Sequence, residues 1–267
     1  MARYGFIGCG NMGGAIARAV CQKVGPGEVL LCDYSIERAE YLAEELGCQS
    51  GSNERAAREC AYIFLGVKPH LMESALEPLR PVLASRKDRF VLVSMAAGLS
   101  MARIQELAGG AYPLIRIMPN TAVVVGESMI LLSSSNANRA EVEGILEAMS
   151  TSGRIDEVEE SLIDAAGCIN GCGPAFMYLF LEALADGAVA CGVPRAKATE
   201  YAAQTMLGAC KMALESGTHT AQLKDNVCSP GGSTIEGVKA LEEGGLRAAA
   251  MNAVRAAYDK TILLGKK

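Results

Sequence analysis

The sequence predicts an α/β domain built on a doubly wound parallel sheet, followed by a second domain made only of helices. Three observations support this fold class. Short apolar strands alternate with helical segments as far as residue 160, which is typical of a sheet covered by helices on both faces. A glycine-rich turn joins the first strand to the first helix. Beyond residue 160 the strand pattern is absent and helical periodicity continues to the end of the chain.

The strands of the first half are continuous apolar runs, as burial on both faces of a sheet requires. In chain order the runs are RYGFIG, EVLLCD, AYIFLGV, RFVLVSM and PLIRIM, and then SMILLSS and GRIDEV on either side of a last helix, NRAEVEGILEAMS. The helix after the second strand, SIERAEYLAEELG, is expected to begin after the N-cap Ser35 and to end at Gly47. We therefore predict a parallel sheet wound on both faces.

The turn after the first strand has GxGxxG spacing and consists of Gly8, Cys9, Gly10, Asn11, Met12 and Gly13. Gly8 allows the tight turn, and Gly10 lets the backbone approach a pyrophosphate. Gly13 lets the helix pack closely on the strand. The helix start offers free N–H groups and the positive end of its dipole to phosphates. These features predict that residues 1–160 form a Rossmann-type dinucleotide-binding domain.

Asp33 ends the second strand, about 20 residues after the glycine turn, where dinucleotide-binding proteins carry an acidic residue. A carboxylate at this position accepts hydrogen bonds from the ribose 2′-hydroxyl of NADH and repels the 2′-phosphate of NADPH. The next residues, Tyr34 and Ser35, are uncharged, and Arg38 follows only a turn later. The residues favour NADH, with NADPH as the alternative cofactor.

Ligands of open parallel sheets bind outside the carboxyl ends of the strands. Three such ends carry unusual residues: GVKPH has a lysine and a rigid proline, SMAAG has small side chains, and RIMPNT has a proline followed by the amide of Asn120. Taken alone, Lys68 is compatible with a solvated surface charge. Three specialised loops on one edge of the sheet favour ligand contact.

Residues 161–267 form the predicted all-α domain. Its first helical stretch, ESLIDAAGCINGCGPAFMYLFLEALADGAVACG, is unusually long, and Pro174 is expected to kink it or to split it in two. RAKATEYAAQTMLGACKMALES, AQLKDNV, TIEGVKALEEG and GLRAAAMNAVRAAYDKTILLG follow as further helices. These helices carry more apolar residues than a domain of this size can bury alone. We therefore expect a helical interface in a homo-oligomer, with scattered surface leucines as the alternative.

The segment CSPGGSTIEGV places bare backbone and two hydroxyls at the start of a late helix. Pro230 fixes the chain, and Gly231 and Gly232 leave their N–H groups uncovered. Ser233 or Thr234 then begins the helix. This arrangement predicts a small anion site. Because the pyrophosphate already has a site at the first glycine turn, we expect a substrate carboxylate here; an ordinary Ser or Thr N-cap is the alternative.

Composition excludes several classes of protein. A net charge of −5 with interspersed signs argues against a nucleic-acid-binding surface. No stretch approaches the ~20 apolar residues of a membrane span, and the N-terminus shows no leader, so we expect a cytoplasmic protein. The ten cysteines lack CxxC spacing and are expected to fill the core, while two distant histidines leave no metal site or histidine-based triad. The reactive group should therefore come from a cofactor.

Successive segments of the chain resemble the signatures of the Δ1-pyrroline-5-carboxylate reductase family. In family order they are GCGNMGGAI, GVKP, RIMPNT, GCGPAFMYLFLEALADGAV, GVPRAKA, QT and QLKDNVCSPGGSTIEGVKALEEGGLRAA. They span essentially the whole chain, and the stretch from Gln222 to Ile235 is the most specific. The resemblance implies reduction of a cyclic imino acid to L-proline by NADH or NADPH, the last step of proline biosynthesis. It also implies a helical domain that forms a homodimer and often a larger ring of dimers.

The resemblance also assigns site residues position by position. Thr234 would hydrogen-bond the ring nitrogen of the imine, which makes it the candidate catalytic residue. The substrate would be bound by Gly231, Gly232, Ser233, Thr234, Met118 and Asn120. Beyond the glycine turn and Asp33, the cofactor would be bound by Val67, Lys68, Pro69, Ala96, Ala97 and Pro119. A protonated C=N bond already accepts hydride, so the chemistry requires no strong base and no metal.

Two positions depart from the family pattern, and two other functions remain as alternatives. Cys172 stands where the family usually has serine, and Asp33–Tyr34 stands where many members have Asn-Arg, a pair suited to a 2′-phosphate. A 3-hydroxyacid dehydrogenase shares the two-domain plan, but the lysine that it needs on the interdomain helix has no counterpart between Glu159 and Pro194. A non-catalytic NAD(P)H-sensing module would have no use for the second glycine loop.

Overall fold

The computed structural model describes residues 2–265 and confirms the α/β fold class. Its strands are β1 (Tyr4–Ile7), β2 (Val29–Cys32), β3 (Gln49–Ser50), β4 (Tyr62–Leu65), β5 (Val91–Ser94), β6 (Leu114–Met118), β7 (Ser128–Ser135) and β8 (Gly153–Glu157). They form one sheet in the order β3-β2-β1-β4-β5-β6-β7-β8. The two-residue strand β3 was not expected, because so short an edge strand leaves no apolar run in the sequence.

Helices connect most of these strands: α1 (Asn11–Val24), α2 (Ile36–Leu46), α3 (Asn53–Glu59), α4 (Met72–Leu76), α5 (Arg80–Ser85), α6 (Met101–Ala108), α7 (Arg139–Ala148) and α8 (Glu160–Asn170). The two predicted ends of α2 are confirmed. The Ser35 hydroxyl accepts a hydrogen bond from the Arg38 N–H, and Gly47 takes a left-handed conformation with φ 69°. Only a residue tolerant of positive φ fits this C-terminal position without strain.

Apolar side chains are buried on both faces of the sheet, as the continuous apolar strands predicted. Phe6 belongs to the cluster on one face and Ile7 to the cluster on the other, because successive side chains of a strand point to opposite sides. Phe6 stacks on Phe64 of the neighbouring strand with ring centroids 4.3 Å apart. This core holds the ends of β1 and β4 side by side, which places the loops that follow them next to each other.

The prediction of a parallel sheet was wrong for the last two strands, which run opposite to the other six. β7 runs antiparallel to β6, while β8 is again parallel to β7. The chain passes from β6 to β7 through a short 3₁₀ turn, Thr121–Val125, and Gly126 with φ 72°. A parallel connection requires a crossover of a dozen residues or more, so this short connection forces the reversal.

Residues 173–256 form a separate compact unit, while residues 257–265 group with the sheet domain. The helices are α9 (Gly173–Ala190), α10 (Arg195–Glu215), α11 (Thr220–Val227), α12 (Ser233–Glu243) and α13 (Leu246–Gly265). Among their described residues only Ala185 and Ala198 are buried. Cys191 and Cys210, which were expected to fill a core, are exposed, because the contact between α9 and α10 buries only a small part of the surface of either helix.

The long helical stretch at the start of this region is divided as predicted. α8 ends at Asn170 and α9 begins at Gly173, with Pro174 in its first turn, where a missing N–H costs no hydrogen bond. By length and composition alone, the stretch 160–190 is apolar enough to cross a membrane, with a mean hydropathy of 1.3. No such stretch was expected from the sequence.

Candidate active site

The first glycine turn is fixed by close backbone packing. A Cβ on Gly13 would lie 2.0 Å from the carbonyl oxygen of Gly8, and a Cβ on Gly66 would lie 2.4 Å from the same atom. Gly8 itself has φ 101°, and a Cβ on it would lie 2.7 Å from the carbonyl carbon of Gly66. The three glycines therefore allow the turn after β1, the first turn of α1 and the end of β4 to approach closer than any other residues would permit.

The start of α1 fits a phosphate group. Gly10 is the N-cap, and no side chain caps the helix, so its first N–H groups are left to water or a ligand. A Cβ on Gly10 would meet nothing within 4 Å, in contrast to its crowded neighbours. Open space in front of uncovered N–H groups and a positive helix end is what a pyrophosphate requires.

Asp33 is held against the glycine turn. Its Oδ2 accepts a hydrogen bond from the Cys9 N–H at 2.6 Å, and its Oδ1 accepts one from the Ser35 N–H at 3.0 Å. The Arg38 guanidinium lies 3.9 Å from Oδ1 and is mostly exposed, and Tyr34 is fully exposed. The carboxylate therefore has a fixed position at the end of β2, and each oxygen retains a lone pair for a further donor.

Cys9 lies within the glycine turn but lacks the properties of a nucleophile. Its thiol donates to the carbonyl of Cys32 at 3.4 Å and is buried. Burial, followed by the nearby Asp33 carboxylate, raises the pKa of the Cys9 thiol to about 12. Reactive cysteines have lowered pKa values in electropositive, accessible surroundings. Cys9 is thus a small core residue, as the sequence predicted for the cysteines of this domain.

The structure brings the three specialised strand ends to one edge. β4, β5 and β6 are neighbours and mutually parallel, so the loops after them leave the sheet at the same side as the glycine turn after β1. These loops contain Val67, Lys68, Pro69, Ala96, Ala97, Met118, Pro119 and Asn120. Pro69 opens a 3₁₀ turn with Lys68 as its N-cap, and the Ser94 hydroxyl accepts the Ala96 N–H at 3.3 Å.

Asn120 shapes the last of these loops. Its Oδ1 accepts a hydrogen bond from the Ala122 N–H at 2.9 Å, and its own N–H donates to the Ser128 hydroxyl at 3.1 Å. The side chain caps the 3₁₀ turn and is largely buried. Asn120 therefore has a structural role in the loop, in addition to any contact with a ligand.

The second glycine loop is a type II turn that leads directly into α12. The Gly232 N–H donates to the Ser229 carbonyl at 3.0 Å, Pro230 occupies the second position and Gly231 the third with φ 67°. This is the residue pattern that the turn type requires. Gly232 is the N-cap of α12 and no side chain caps the helix. The Ser233 and Thr234 hydroxyls thus remain available beside uncovered N–H groups.

A buried arginine near the site was not predicted from the sequence. Arg116, in the middle of β6, is 1% exposed and pairs with Glu160 and Asp164 on α8. The only available signal was a charge inside the apolar run PLIRIM, which has no place in a buried strand unless it is paired. Within residues 2–265 no cluster of three or more His, Cys, Asp and Glu side chains could hold a metal ion.

Two family models match the chain. Residues 160–264 match the model described as pyrroline-5-carboxylate reductase dimerisation. Residues 3–98 match a model described as NADP oxidoreductase, coenzyme F420-dependent. The first match begins at α8 and runs through α9 to α13, the helices in which only two of the described residues are buried.

Curated relatives and solved structures resemble the chain over nearly its full length. A pyrroline-5-carboxylate reductase of Methanosarcina acetivorans is 39% identical, with 99% of this chain and 98% of the relative covered. That of Escherichia coli is 36% identical over the same shares. The crystal structure of Plasmodium falciparum pyrroline carboxylate reductase with NADP bound superposes with a TM-score of 0.88 at 32% identity, covering 99% of this chain and 98% of that one.

Proposed function

The chain belongs to the pyrroline-5-carboxylate reductase family, and from this membership we propose which of its residues bind the two ligands and carry the reaction. The enzyme reduces the C=N bond of Δ1-pyrroline-5-carboxylate to give L-proline, the last step of proline biosynthesis, with NAD(P)H as the hydride source. In this reaction the substrate is itself the electrophile and the cofactor supplies the hydride, which is consistent with a sequence that has only two histidines.

The glycine turn and Asp33 are proposed to hold the dinucleotide. The N–H groups of Asn11, Met12 and Gly13 would face the pyrophosphate, and Gly10 would leave room for it. The observations that support this assignment are the uncapped helix start and the open space at Gly10. The nicotinamide half would lie along the strand ends, against Val67, Lys68, Pro69, Ala96, Ala97 and Pro119.

For the nicotinamide cofactor we propose a preference for NADH. The fixed carboxylate of Asp33 can accept hydrogen bonds from a ribose hydroxyl, whereas a 2′-phosphate would face it as a like charge. Two like charges at 4 Å cost about 1 kcal/mol in bulk water and about 4 kcal/mol near a protein surface. Arg38 is near enough to moderate this repulsion, so we expect NADPH to remain a substrate.

The second glycine loop is proposed to bind the substrate. Uncovered N–H groups of residues 231–234 would hold the carboxylate, with the Ser233 hydroxyl beside it. The Thr234 hydroxyl would hydrogen-bond the ring nitrogen and fix the imine carbon toward the hydride, with Met118 and Asn120 on the side of the nicotinamide. The enzyme thereby contributes orientation and exclusion of water, which account for a large part of catalysis in such transfers.

The helical unit is proposed to form a homodimer, with a ring of dimers as a further possible assembly. Tyr178, Leu179 and Met212 are each at least half exposed in the single chain. A groove of about 850 Å³ between α9 and α10, lined by Tyr178, Leu179 and Ala185 among others, is partly apolar. A second copy packed on these helices accounts for the surplus apolar surface, including that of α9, without a membrane. We propose a soluble, cytoplasmic enzyme that binds no nucleic acid.

The proposal is tested by steady-state kinetics with pyrroline-5-carboxylate and each reduced nicotinamide cofactor. We expect turnover with both cofactors and a kcat/KM that favours NADH by about tenfold or more. In Asp33→Asn the carboxylate charge is lost, and the ratio should shift toward NADPH. Glu37→Gln, on the same helix end, is the matched control and should leave the ratio unchanged. A wild-type preference for NADPH would overturn the assignment of Asp33.

A further inference from the structure

Arg116 joins the sheet to α8 through two carboxylates. Its Nη1 donates to Glu160 Oε1 at 3.3 Å, and its Nη2 donates to Asp164 Oδ1 at 2.5 Å. Glu160 and Asp164 lie one turn apart on α8, so both carboxylates face the same strand. Arg116 lies two residues before Met118, at the strand end that leads into the RIMPNT loop.

Glu160 makes a second contact that reaches another loop of the site. Its Oε1 also accepts a hydrogen bond from the Met101 N–H at 2.6 Å. Met101 is the first residue of α6 and follows the loop that contains Ala96 and Ala97. A single carboxylate thus ties the loop after β5 to the strand that precedes the loop after β6.

The other end of α8 holds the same strand end. Asn170 Nδ2 donates to the Met118 carbonyl at 2.6 Å and to the Met129 carbonyl at 2.9 Å. Between the two polar contacts, Gly167 packs against the Met118 side chain, where a Cβ would lie 3.4 Å from Cγ. α8 therefore contacts both the backbone and the side chain of Met118.

These contacts are poorly explained by stability alone. Arg116 Nε and Asn170 Oδ1 are buried and lack a hydrogen-bond partner within the described part of the chain. A buried ion cluster is commonly no more stable than apolar residues of similar volume, and leaving polar atoms unsatisfied adds a penalty. What such groups supply is a defined geometry, because charged hydrogen bonds are directional.

We propose that Arg116, Glu160, Asp164 and Asn170 form a positioning clamp that fixes the loop 95–100 and the segment 118–120 relative to each other. The inference rests on the proposed function, in which these two segments flank the nicotinamide ring. None of the four residues needs to touch cofactor or substrate. Because a displacement of about 1 Å at a reacting centre can lower a rate about 100-fold, the clamp acts on hydride transfer and has little effect on binding.

The test removes the charges of the clamp together, so that no single charge is left buried. The variant is Arg116→Met/Glu160→Gln/Asp164→Asn. Its matched control is Arg139→Met/Glu143→Gln/Glu157→Gln, because Arg139 also bridges two carboxylates but is exposed on α7. We expect the clamp variant to lose about 10- to 100-fold in kcat. The KM values for both substrates should stay within a few-fold of wild type, and the control should match wild type.

The deuterium isotope effect on kcat, measured with NADH labelled at the transferred position, separates positioning from folding. We expect the isotope effect to rise in the clamp variant, because a slower hydride step becomes rate-limiting. The proposal would be overturned if the isotope effect were unchanged and the fall in kcat equalled the fraction of the protein that no longer binds NADH. A wild-type kcat would also overturn it. In contrast, absence of turnover in the wild-type enzyme would refute the proposed function itself.

A second pair of variants tests the link between Glu160 and Met101. Glu160→Gln keeps an oxygen that can accept the Met101 N–H, whereas Glu160→Ala removes it. We expect the glutamine variant to retain several-fold more kcat than the alanine variant at equal cofactor binding. Equal losses in the two variants would contradict the proposed link.

Discussion

In the first glycine turn, a Cβ on Gly8 or on Gly13 would collide with backbone, whereas a Cβ on Gly231 in the second loop would meet nothing within 4 Å. Both loops begin a helix with a glycine N-cap and no side-chain cap. The first loop lies in a domain with a dense core, and the second lies in a unit with only two buried alanines among the described residues of its helices.

The difference shows how two sites of similar local chemistry depend on different supports. The first loop is shaped by contacts with its own domain, chiefly Gly66 and the Asp33 carboxylate. The second takes its shape from a turn whose residues suit its dihedral angles, while the helix that it starts has little packing within the chain. We therefore expect the cofactor site to be disrupted by local steric changes, and the substrate site to be disrupted also by changes at the subunit interface.

The largest expected effect comes from a charge in the proposed interface. Tyr178→Asp on α9 should weaken the dimer, because each buried large apolar side chain contributes about 1.5–3 kcal/mol and a twofold dimer contains two copies. In light scattering coupled to gel filtration, we expect a dissociation constant of the dimer raised by at least about 100-fold. In the kinetic assay, we expect a loss of activity.

Tyr41→Asp is the matched control for the interface. Tyr41 lies on α2 of the sheet domain and is as exposed as Tyr178, at 72% against 64%. It should leave both mass and activity unchanged. A Tyr178→Asp protein that remains a fully active dimer would show that the helical unit is not held together by this face.

Next in size is Gly13→Ala, which tests the steric support of the first loop. The new Cβ would collide with the Gly8 carbonyl, and we expect a loss of about 3 kcal/mol in unfolding free energy. Gly10→Ala introduces the same methyl group into open space, so it should fold like wild type yet bind NADH more weakly. Chemical denaturation and cofactor titration distinguish the two. Equal stability in both variants would contradict the packing argument.

Thr234→Ala should lower kcat about 100-fold, equivalent to about 2.7 kcal/mol, through loss of one oriented hydrogen bond in the transition state. Cofactor affinity should change little, and Thr234→Ser should restore most of the rate. Thr220→Ala, at the start of α11, provides a control at another exposed helix start. Undiminished turnover in Thr234→Ala would remove this residue from the mechanism.

The last effect is absent at neutral pH and concerns the buried thiols beside the first loop. Burial is the main cause that raises the pKa values of Cys9 and Cys32 to about 12. A raised folded-state pKa gives stability that is complete below the unfolded pKa near 9 and is lost as the pH rises toward 12. Each thiol should contribute a slope of about 1.4 kcal/mol per pH unit in that window.

Denaturation of the wild type and of Cys32→Ala at several alkaline pH values measures this slope. The variant should show a shallower decline than the wild type, because one of the two buried thiols is gone. Cys191→Ala, which changes an exposed thiol, should show the wild-type decline. Identical slopes for Cys32→Ala and wild type would mean that Cys32 does not stay protonated in the fold.

The sequence predicted what depends on periodicity and on residue chemistry, namely the sheet, the caps Ser35 and Gly47, and the family. It did not predict the reversal of β7, because strand direction depends on the length and geometry of a connection and leaves no mark in the strand itself. Arg116 was missed for a similar reason: its partners Glu160 and Asp164 are more than 40 residues away. The same holds for the hydrogen bond between Asp33 and the glycine turn.

Two uncapped helix starts are proposed to bind two different anions, the cofactor pyrophosphate at Gly10–Gly13 and the substrate carboxylate at residues 231–234. A crystal structure of the complex with NAD⁺ and L-proline tests this proposal most directly. We expect the proline carboxylate within about 3 Å of the N–H groups of residues 231–234, with the pyrophosphate on the start of α1. Proline bound with its carboxylate on other groups, and this loop empty, would contradict the account.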